Sequence, residues 1–572
     1  MPEPSNNQPP KDLSMETRLL IAFVLMFAVL FASQYLYKSN TGPIKTAPAV
    51  TPAQAVQESK PPAPVATTPA QAAAKPATPM PGSIQDTVEH EFTIDTALYK
   101  IRLTNKGGVI QSWLLKKYLD HNGKPLELVN SAGLVKVPPP FALSLKDQQA
   151  SSVLNFSLYQ ASPTPDGLGV DYEFSDGKNY AKKSFRFGKD SYLAQVATDV
   201  KQNGIGVPNL IEWRGGFGDN TVLNRAAEQH AVYYNLSDSK LVIKSAKDAK
   251  DGAIVANGNY SFAGLDDRFF ALAFLPKDNT SVEVQALKDD VPMMRDGKDE
   301  LVVGAAVGGD AVNKFSVFVG PKDIDILRIV DPKLQQLIDW GYFGIIAKPL
   351  FLALHWMNDN YIHGYGWSII ILTVVINLVL FPLRLTGLKS QRKMSALQPH
   401  IKAINERYKG LKLNDPKKQE QNAEIMDLYK KHGVNPAGGC LPMVLQLPIL
   451  WAIYKVLTVT IELRGAHWLW VTDLSQPESL AIHVLPLVMV ATQFFMQRMT
   501  PSPGMDPAQA KMMQLMPLMF GFFFYSMSSG LVLYWLTGNL VGIVQQMVIN
   551  RIVPQPNVEP PKTAAVKKRP KS

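Results

Sequence analysis

Ile369-Ile370-Ile371-Leu372-Thr373-Val374-Val375-Ile376-Asn377-Leu378-Val379-Leu380-Phe381-Pro382-Leu383-Arg384 is an apolar run interrupted by Thr373 and Asn377 and closed by Arg384. Taken from Trp367 to Leu383, it approaches the roughly 20 apolar residues that a helix needs to cross hydrocarbon. Thr373 and Asn377 stand four residues apart and therefore share one helical face. Arg384, seven residues beyond Asn377, returns to nearly the same azimuth, although Pro382 between them can rotate it. A single Thr or Asn in a span commonly serves as glue between helices. A stripe of such residues that recurs on neighbouring spans points instead to a hydrated cavity.

Further spans follow. Leu441 to Ile461 carries Gln446 between Pro442 and Pro448. Ile482 to Met496 and Met512 to Ser526 are short for a bilayer, which fits a thinned membrane or shielding by neighbours. Leu531 to Ile549 carries Tyr534, Thr537, Asn539, Gln545 and Gln546, and Ser528-Ser529-Gly530 makes the tight turn before it. Near the start, Leu19 to Tyr37 is almost wholly apolar, about 19 residues or about 28 Å of helix. That exceeds the usual 7–15-residue core of a cleaved signal peptide, so an uncleaved anchor is favoured, with Ala32-Ser33 as the alternative cleavage point.

The whole chain, 572 residues with 46% hydrophobic and 19% charged, averages over two very different textures. Residues 38–85 are dominated by Pro, Ala, Thr and Gln, a composition that buries too little to fold and reads as a tether. From about 88 to 325, β-formers cluster in Phe92-Thr93-Ile94-Asp95, Tyr99–Leu103 and Phe315–Val319. Asn122-Gly123, Asp166-Gly167, Asp176-Gly177 and Asp296-Gly297 supply turns between strands, which predicts a large antiparallel sandwich. Gly215-Gly216-Phe217-Gly218 lacks the Lys-Ser/Thr of a phosphate loop and reads as a turn. His90, His121 and His230 are scattered and read as solvated surface residues, and Cys440, the one cysteine, as a small packing residue. A disulfide within the chain is excluded.

The net charge of +10 suits either nucleic acid or the cytoplasmic side of a membrane protein. Its distribution favours the second. Twelve Lys and Arg residues lie between Arg384 and Lys431, Arg464 alone lies between the third and fourth spans, and the chain ends Lys567-Lys568-Arg569-Pro570-Lys571. The positive-inside rule then gives six spans with both termini cytoplasmic and the β domain outside. The expected layout is a cytoplasmic segment 1–18, a first span 19–37, the linker 38–85 and a β-sandwich 86–330. An amphipathic interfacial helix 331–358 follows, argued from Leu334, Leu337, Ile338, Tyr342, Ile345 and Ile346; a helix packed on the β domain would show the same stripe. The second span is 361–383, a cytoplasmic helical hairpin 384–436, the third span 437–461 and a periplasmic loop 462–479. The fourth span 480–497, a cytoplasmic loop 498–511, the fifth span 512–527, the sixth 530–550 and a basic tail 551–572 complete it. Within the hairpin, the charges form either a solvated surface or an electrostatic landing site for ribosomal RNA, anionic headgroups or an incoming chain.

Asn435-Pro436-Ala437-Gly438-Gly439-Cys440-Leu441-Pro442 with Gln446-Leu447-Pro448-Ile449 resembles the third-span motif of the YidC/Oxa/Alb membrane-insertase family. Ser529-Gly530-Leu531-Val532-Leu533-Tyr534-Trp535, Asn539-Leu540 and Gln545-Gln546 resemble its last span. The anchor, tether and outer domain are similar in layout to the Gram-negative form of the family. The resemblance implies five core spans around a cytoplasm-open hydrophilic groove, a periplasmic β-supersandwich, and the function of an insertase and chaperone in the bacterial inner membrane. Its implied partners are nascent membrane proteins, the ribosome, the Sec translocon and membrane lipids. It implies no small-molecule substrate, no cofactor, no metal and no chemical catalysis. Carried over by motif, the substrate groove is Thr373, Asn377, Arg384, Gln446, Tyr534, Trp535 and Asn539. One position departs from the pattern: well-studied relatives carry an arginine four residues after the threonine, where this chain has Asn377. Arg384 is then the candidate source of charge.

Two other classes remain open to the residues alone. A transporter would predict inverted repeats and broken helices near the midplane, and no convincing repeat relates the spans. A tethered periplasmic binding protein would leave the polar residues of the later spans without a role.

Overall fold

The computed structural model describes residues 81–222, 228–277, 281–408, 417–434, 441–499 and 507–552. The first apolar segment, the Pro/Ala tether up to residue 80, the Asn435–Cys440 part of the third-span motif and the basic tail from 553 lie outside the described residues.

From Glu91 to Pro321 the chain forms three sheets, and every strand pairing described is antiparallel. Glu91–Asp95, Tyr99–Thr104, Val109–Leu119 and Pro125–Glu127 make a four-stranded meander. The largest sheet has ten strands, with Phe270–Pro276, Val312–Pro321 and Leu193–Gln202 at its middle. A five-stranded sheet runs in the order Ile254–Gly258, Val282–Pro292, Asp299–Gly308, Leu210–Trp213 and Ala142–Ser144. The turns expected from Asx-Gly pairs are present, with Gly123, Gly167, Gly177 and Gly297 all at positive φ, where a Cβ would be strained.

The three sheets meet on an aromatic hub. Trp113 of the first sheet lies 6.4 Å from Trp213 of the third and 5.8 Å from Phe187 of the second, centroid to centroid. Phe141 stacks on Trp113 at 6.3 Å and meets Phe274 at 5.8 Å. Such rings combine large buried area with favourable edge-to-face contacts. Phe141 has φ +67, and its carbonyl is taken by the buried Lys183 ammonium at 2.9 Å, which also donates to Gly107 O at 2.7 Å. Burial pushes that ammonium down to about 7. Gly215, Gly216 and Gly218, all at positive φ, form a buried turn around Phe217. His90 and His121 are exposed as expected. His230 corrects that reading: it is half-buried, with Nδ1 3.4 Å from Asp266.

Short helix α1 (Gln148–Phe156) packs on the β domain, capped by Asp147. Helix α2 (Ile324–Val330), capped by Asp323, leads out of it. The single amphipathic helix expected over 331–358 is instead two pieces. Pro332–Leu337 is a short 3-10 helix that buries Leu334 and Leu337, while α3 begins only at Gly344 and runs to Met357. Between them Gly341 sits at φ +68 and donates to Asp339, whose carboxylate is held by Lys455 at 2.5 Å. The left-handed glycine ends the stripe, so Leu334, Leu337 and Ile338 are buried whereas Tyr342 and Ile345 are 87% exposed.

The remaining helices are α4 (Tyr365–Val379), α5 (Phe381–Ala396), α6 (Gln398–Arg407), α7 (Lys417–Lys431), α8 (Leu441–Val459), α9 (Val484–Met499), α10 (Pro507–Phe524) and α11 (Ser529–Ile552). Among the described residues α11 alone is long and apolar enough to cross a bilayer by itself. The pair Gly344–Ile362 and Tyr365–Val379 passes the same test jointly but bends by 119°. Buried Leu397, Ile401 and Val434 join α5, α6 and the end of α7 in a small separate core.

The β domain and the helices are tied together by Arg464. It follows the 3-10 turn Ile461–Leu463 after α8, and its side chain is 6% exposed. Nη2 donates to Asp219 at 2.5 Å and to Leu119 O at 2.7 Å, and the guanidinium lies over the Phe269 and Phe270 rings. Burial works to raise the Asp219 carboxyl, but the Arg464 charge and the Thr221 bonds hold it below its ordinary value. Removing one partner of such a pair strands the other, a loss on the order of 3–5 kcal/mol. Arg464→Ala is therefore expected to lower the thermal midpoint of the β domain, read by tryptophan fluorescence. The Arg464→Ala, Asp219→Ala double variant should lose less than the sum of the singles.

Candidate functional site

Helix α4 stops at Val379 and α5 starts at Phe381 because Pro382 has no N–H to continue the ladder. The break is slight: Leu380 still donates to Ile376 O, and Arg384 to Leu380 O. The sequence stripe therefore continues across it. Thr373 is buried and turns its hydroxyl onto Ile369 O at 2.6 Å. Asn377 is half-buried and donates to Thr373 O at 2.8 Å. Arg384 Nη1 donates to Gln545 Oε1 at 3.0 Å, and Gln545 Nε2 donates to Asn377 O at 3.1 Å. One glutamine of α11 thus bridges the backbone at Asn377 and the guanidinium one heptad later.

The contacts advance together along the two helices. Ile369 faces Gly530, Arg384 faces Gly542, and Arg392 bonds Asn550, so α4–α5 and α11 run parallel. Gly542 makes the seat for the arginine: a Cβ there would lie 2.7 Å from Arg384 Nη2 and 3.0 Å from Met496 Sδ. The other guanidinium contact is Met496 Sδ of α9 at 3.8 Å. Among the described residues no ion pair joins Arg384 to a carboxylate. A guanidinium carries five N–H donors and cannot shed its charge, so this one retains donors for an anionic or carbonyl group.

Other sequence-expected residues take different places. Asn539 is buried and donates to Met489 O and Thr492 Oγ1, both at 3.3 Å, joining α11 to α9. Tyr534 is buried within α11, whereas Trp535 packs on Phe524 at 4.9 Å and Phe520 at 5.9 Å, facing α10. Gln446 is exposed on α8. The structure therefore gathers Thr373, Asn377 and Arg384 with Gln545, places Asn539 one step away, and leaves Gln446, Tyr534 and Trp535 apart from that bonded group. Gly542, Thr492 and Met496 escaped the sequence reading. Gly542 had a signal, a glycine inside an apolar helix, but its partner could not be read from the chain.

Residues 91–353 match the family model of the YidC periplasmic domain, and residues 356–556 match that of the 60Kd inner membrane protein. A membrane protein insertase YidC of Pelobacter propionicus is 32% identical over 564 residues, covering 94% of this chain and 100% of the relative. One of Citrifermentans bemidjiense is 34% identical over 560 residues, with the same two coverages of 94% and 100%. A solved structure of an active YidC insertase with its first transmembrane domain resolved is 20% identical, covers 82% of this chain and 94% of that one, and has a TM-score of 0.36. The chain belongs to the YidC family of membrane protein insertases. It is an inner-membrane protein whose activity is the insertion of nascent membrane proteins, and its antiparallel β domain is the family's periplasmic domain.

If Gly542 seats the guanidinium, Gly542→Val should displace it. Arg384 is then expected to react several-fold faster with phenylglyoxal, followed by mass spectrometry. An unchanged rate would mean that the seat lies elsewhere.

Proposed function

We propose that the insertase works through a cytoplasm-open groove whose polar wall is the parallel pair α4–α5 and α11. The observation that carries this reading is the Asn377–Gln545–Arg384 chain of bonds, which ends in a cation without an ionic partner among the described residues. The groove is formed by Thr373, Asn377, Arg384, Gln446, Tyr534, Trp535 and Asn539, with Tyr534 and Trp535 shaping its apolar side. A substrate's own apolar segment partitions into lipid, while polar groups of the same chain pause against Arg384 and the amides instead of facing hydrocarbon. No covalent step is needed.

In this reading six spans cross the inner membrane, with both termini in the cytoplasm and the β domain in the periplasm. Helices α4 and α11 run parallel, as second and sixth spans with that orientation must. The exposed face of α3, Ile345, Leu352 and Trp356, lies on the outer leaflet, where an aromatic ring suits the interface. The basic hairpin 384–436 receives ribosomes, and the protein works alone or beside the Sec translocon.

Photocrosslinkers placed at Thr373, Asn377, Gln446 and Tyr534 are expected to capture stalled nascent membrane proteins. Silence from all four positions would remove the groove. Arg384→Ala is expected to slow insertion of substrates with acidic flanks at least several-fold more than that of neutral ones, while Asn377→Ala affects both alike. If the acidic substrates are spared by Arg384→Ala and not by Asn377→Ala, the charge does not come from Arg384.

A further inference from the structure

Away from the groove, four chain segments meet at one imidazole. His355, near the end of α3, has Nε2 3.2 Å from Asp325 Oδ2 of α2 and 3.1 Å from Asp359 Oδ2 of the elbow between α3 and α4. Its Nδ1 lies 3.2 Å from the Tyr365 hydroxyl, on the first residue of α4, and 4.0 Å from Glu462 Oε1. The ring stacks on Phe351. Glu462 comes from the turn after α8; its side chain is 12% exposed, and its Oε1 is buried with no hydrogen-bond partner. Beside this junction opens a cavity of about 600 Å³, lined by Asp359, His363, Tyr365 and His467 among others.

The groups that face Glu462 from every side are Asp323 and Asp325 of the β domain's exit helix, Asp359 of the elbow, His355, Tyr365 and the half-buried Tyr118. Arg328 is engaged by Asp325 on the solvent side, and Arg464 by Asp219. A carboxyl in this position cannot ionise cheaply. Burial is the larger cause and the three aspartates the lesser, and together they push it up to about 8.

We propose that this junction is a proton-operated latch between the periplasmic β domain and the elbow of the membrane helices. With Glu462 protonated, α2, the elbow and the turn after α8 close on His355. When Glu462 releases its proton to water, the new charge is left on a buried side chain facing Asp323, Asp325 and Asp359, and opening to solvent is what stabilises it. The sign follows from linkage. Closed, the carboxyl has a raised value near 8; open, it returns toward the ordinary carboxylate range. Closure is therefore favoured most fully below that ordinary range and weakens as pH rises toward about 8. Because α4 begins at Tyr365, the latch holds the outer end of the helix that carries Thr373 and Asn377.

Hydrogen exchange of the full chain in nanodiscs, corrected for intrinsic rate, tests this at pH 6.0 and 8.5. Peptides covering 324–330 and 344–362 are expected to lose protection at the higher pH, by up to about tenfold per unit for one released proton. Strand 179–187 serves as the internal reference and should not change. Glu462→Gln keeps the neutral form and is expected to hold wild-type pH 6.0 protection at pH 8.5. Equal protection of the wild type at both pH values would overturn the latch. So would an undiminished pH response in Glu462→Gln.

Discussion

A buried guanidinium fixes how the two parts of this molecule sit on one another. Arg464 leaves a loop between helices, lies over the Phe269 and Phe270 rings and ends on Asp219 and the carbonyl of Leu119. One apolar core runs from the β domain into the helices, but apolar packing is non-directional and sets no strict geometry. Their contact must then be specified by polar groups with strict geometry. A pair this deep gains little net stability, since desolvation offsets most of the attraction, but it strongly penalises any other arrangement. Lys455 with Asp339 and the His355 junction repeat the device at two further points of the seam. The 119° elbow and the outer end of α4 depend on it.

Within the helices the same constraint acts on backbone and amide groups. Thr373 and Asn377 each place a donor on a carbonyl of their own helix one turn back. Asn539 closes on α9. These bonds are glue in the ordinary sense. What they do not explain is Arg384, which is partnered by one amide oxygen and a thioether only, among the described residues. The polar residues of the stripe thus divide into those satisfied within the bundle and one that is not. The second kind is the one on which the proposed groove rests.

Much of the β domain was legible because its signals are local. Asx-Gly pairs demand positive φ, and alternation sets which face of a strand is buried. The hub of Trp113, Phe141, Phe187 and Trp213 was not legible, since it joins residues from three sheets across about a hundred positions. The stripe from Leu334 to Ile346 shows a different limit. Its period is real, but periodicity cannot say what an apolar face packs against, and Gly341 sends the two halves to different surroundings. Adjacent motif residues can likewise part: Tyr534 and Trp535, about 100° apart on a helix, face different neighbours. The seat at Gly542 is visible only once Arg384 is placed against it.

The seven-residue step from Asn377 to Arg384 carries a consequence for depth. On an ideal helix seven residues return to within about 20° of the same azimuth while advancing about 10 Å. A charge moved by one heptad therefore stays on the same face and changes only its distance along the helix. Pro382 threatens that phase, yet the backbone bonds on either side of Leu380 keep it, and Gln545 spans the interval by touching both positions. The family resemblance implies an arginine at the deeper position. Here an uncharged amide occupies it, satisfied by its own helix, and the cation stands about 10 Å further along, seated by a glycine on the parallel helix. The polarity of this wall is consequently a property of the helix pair, and a chain can shift its charge along the pair without rebuilding the fold.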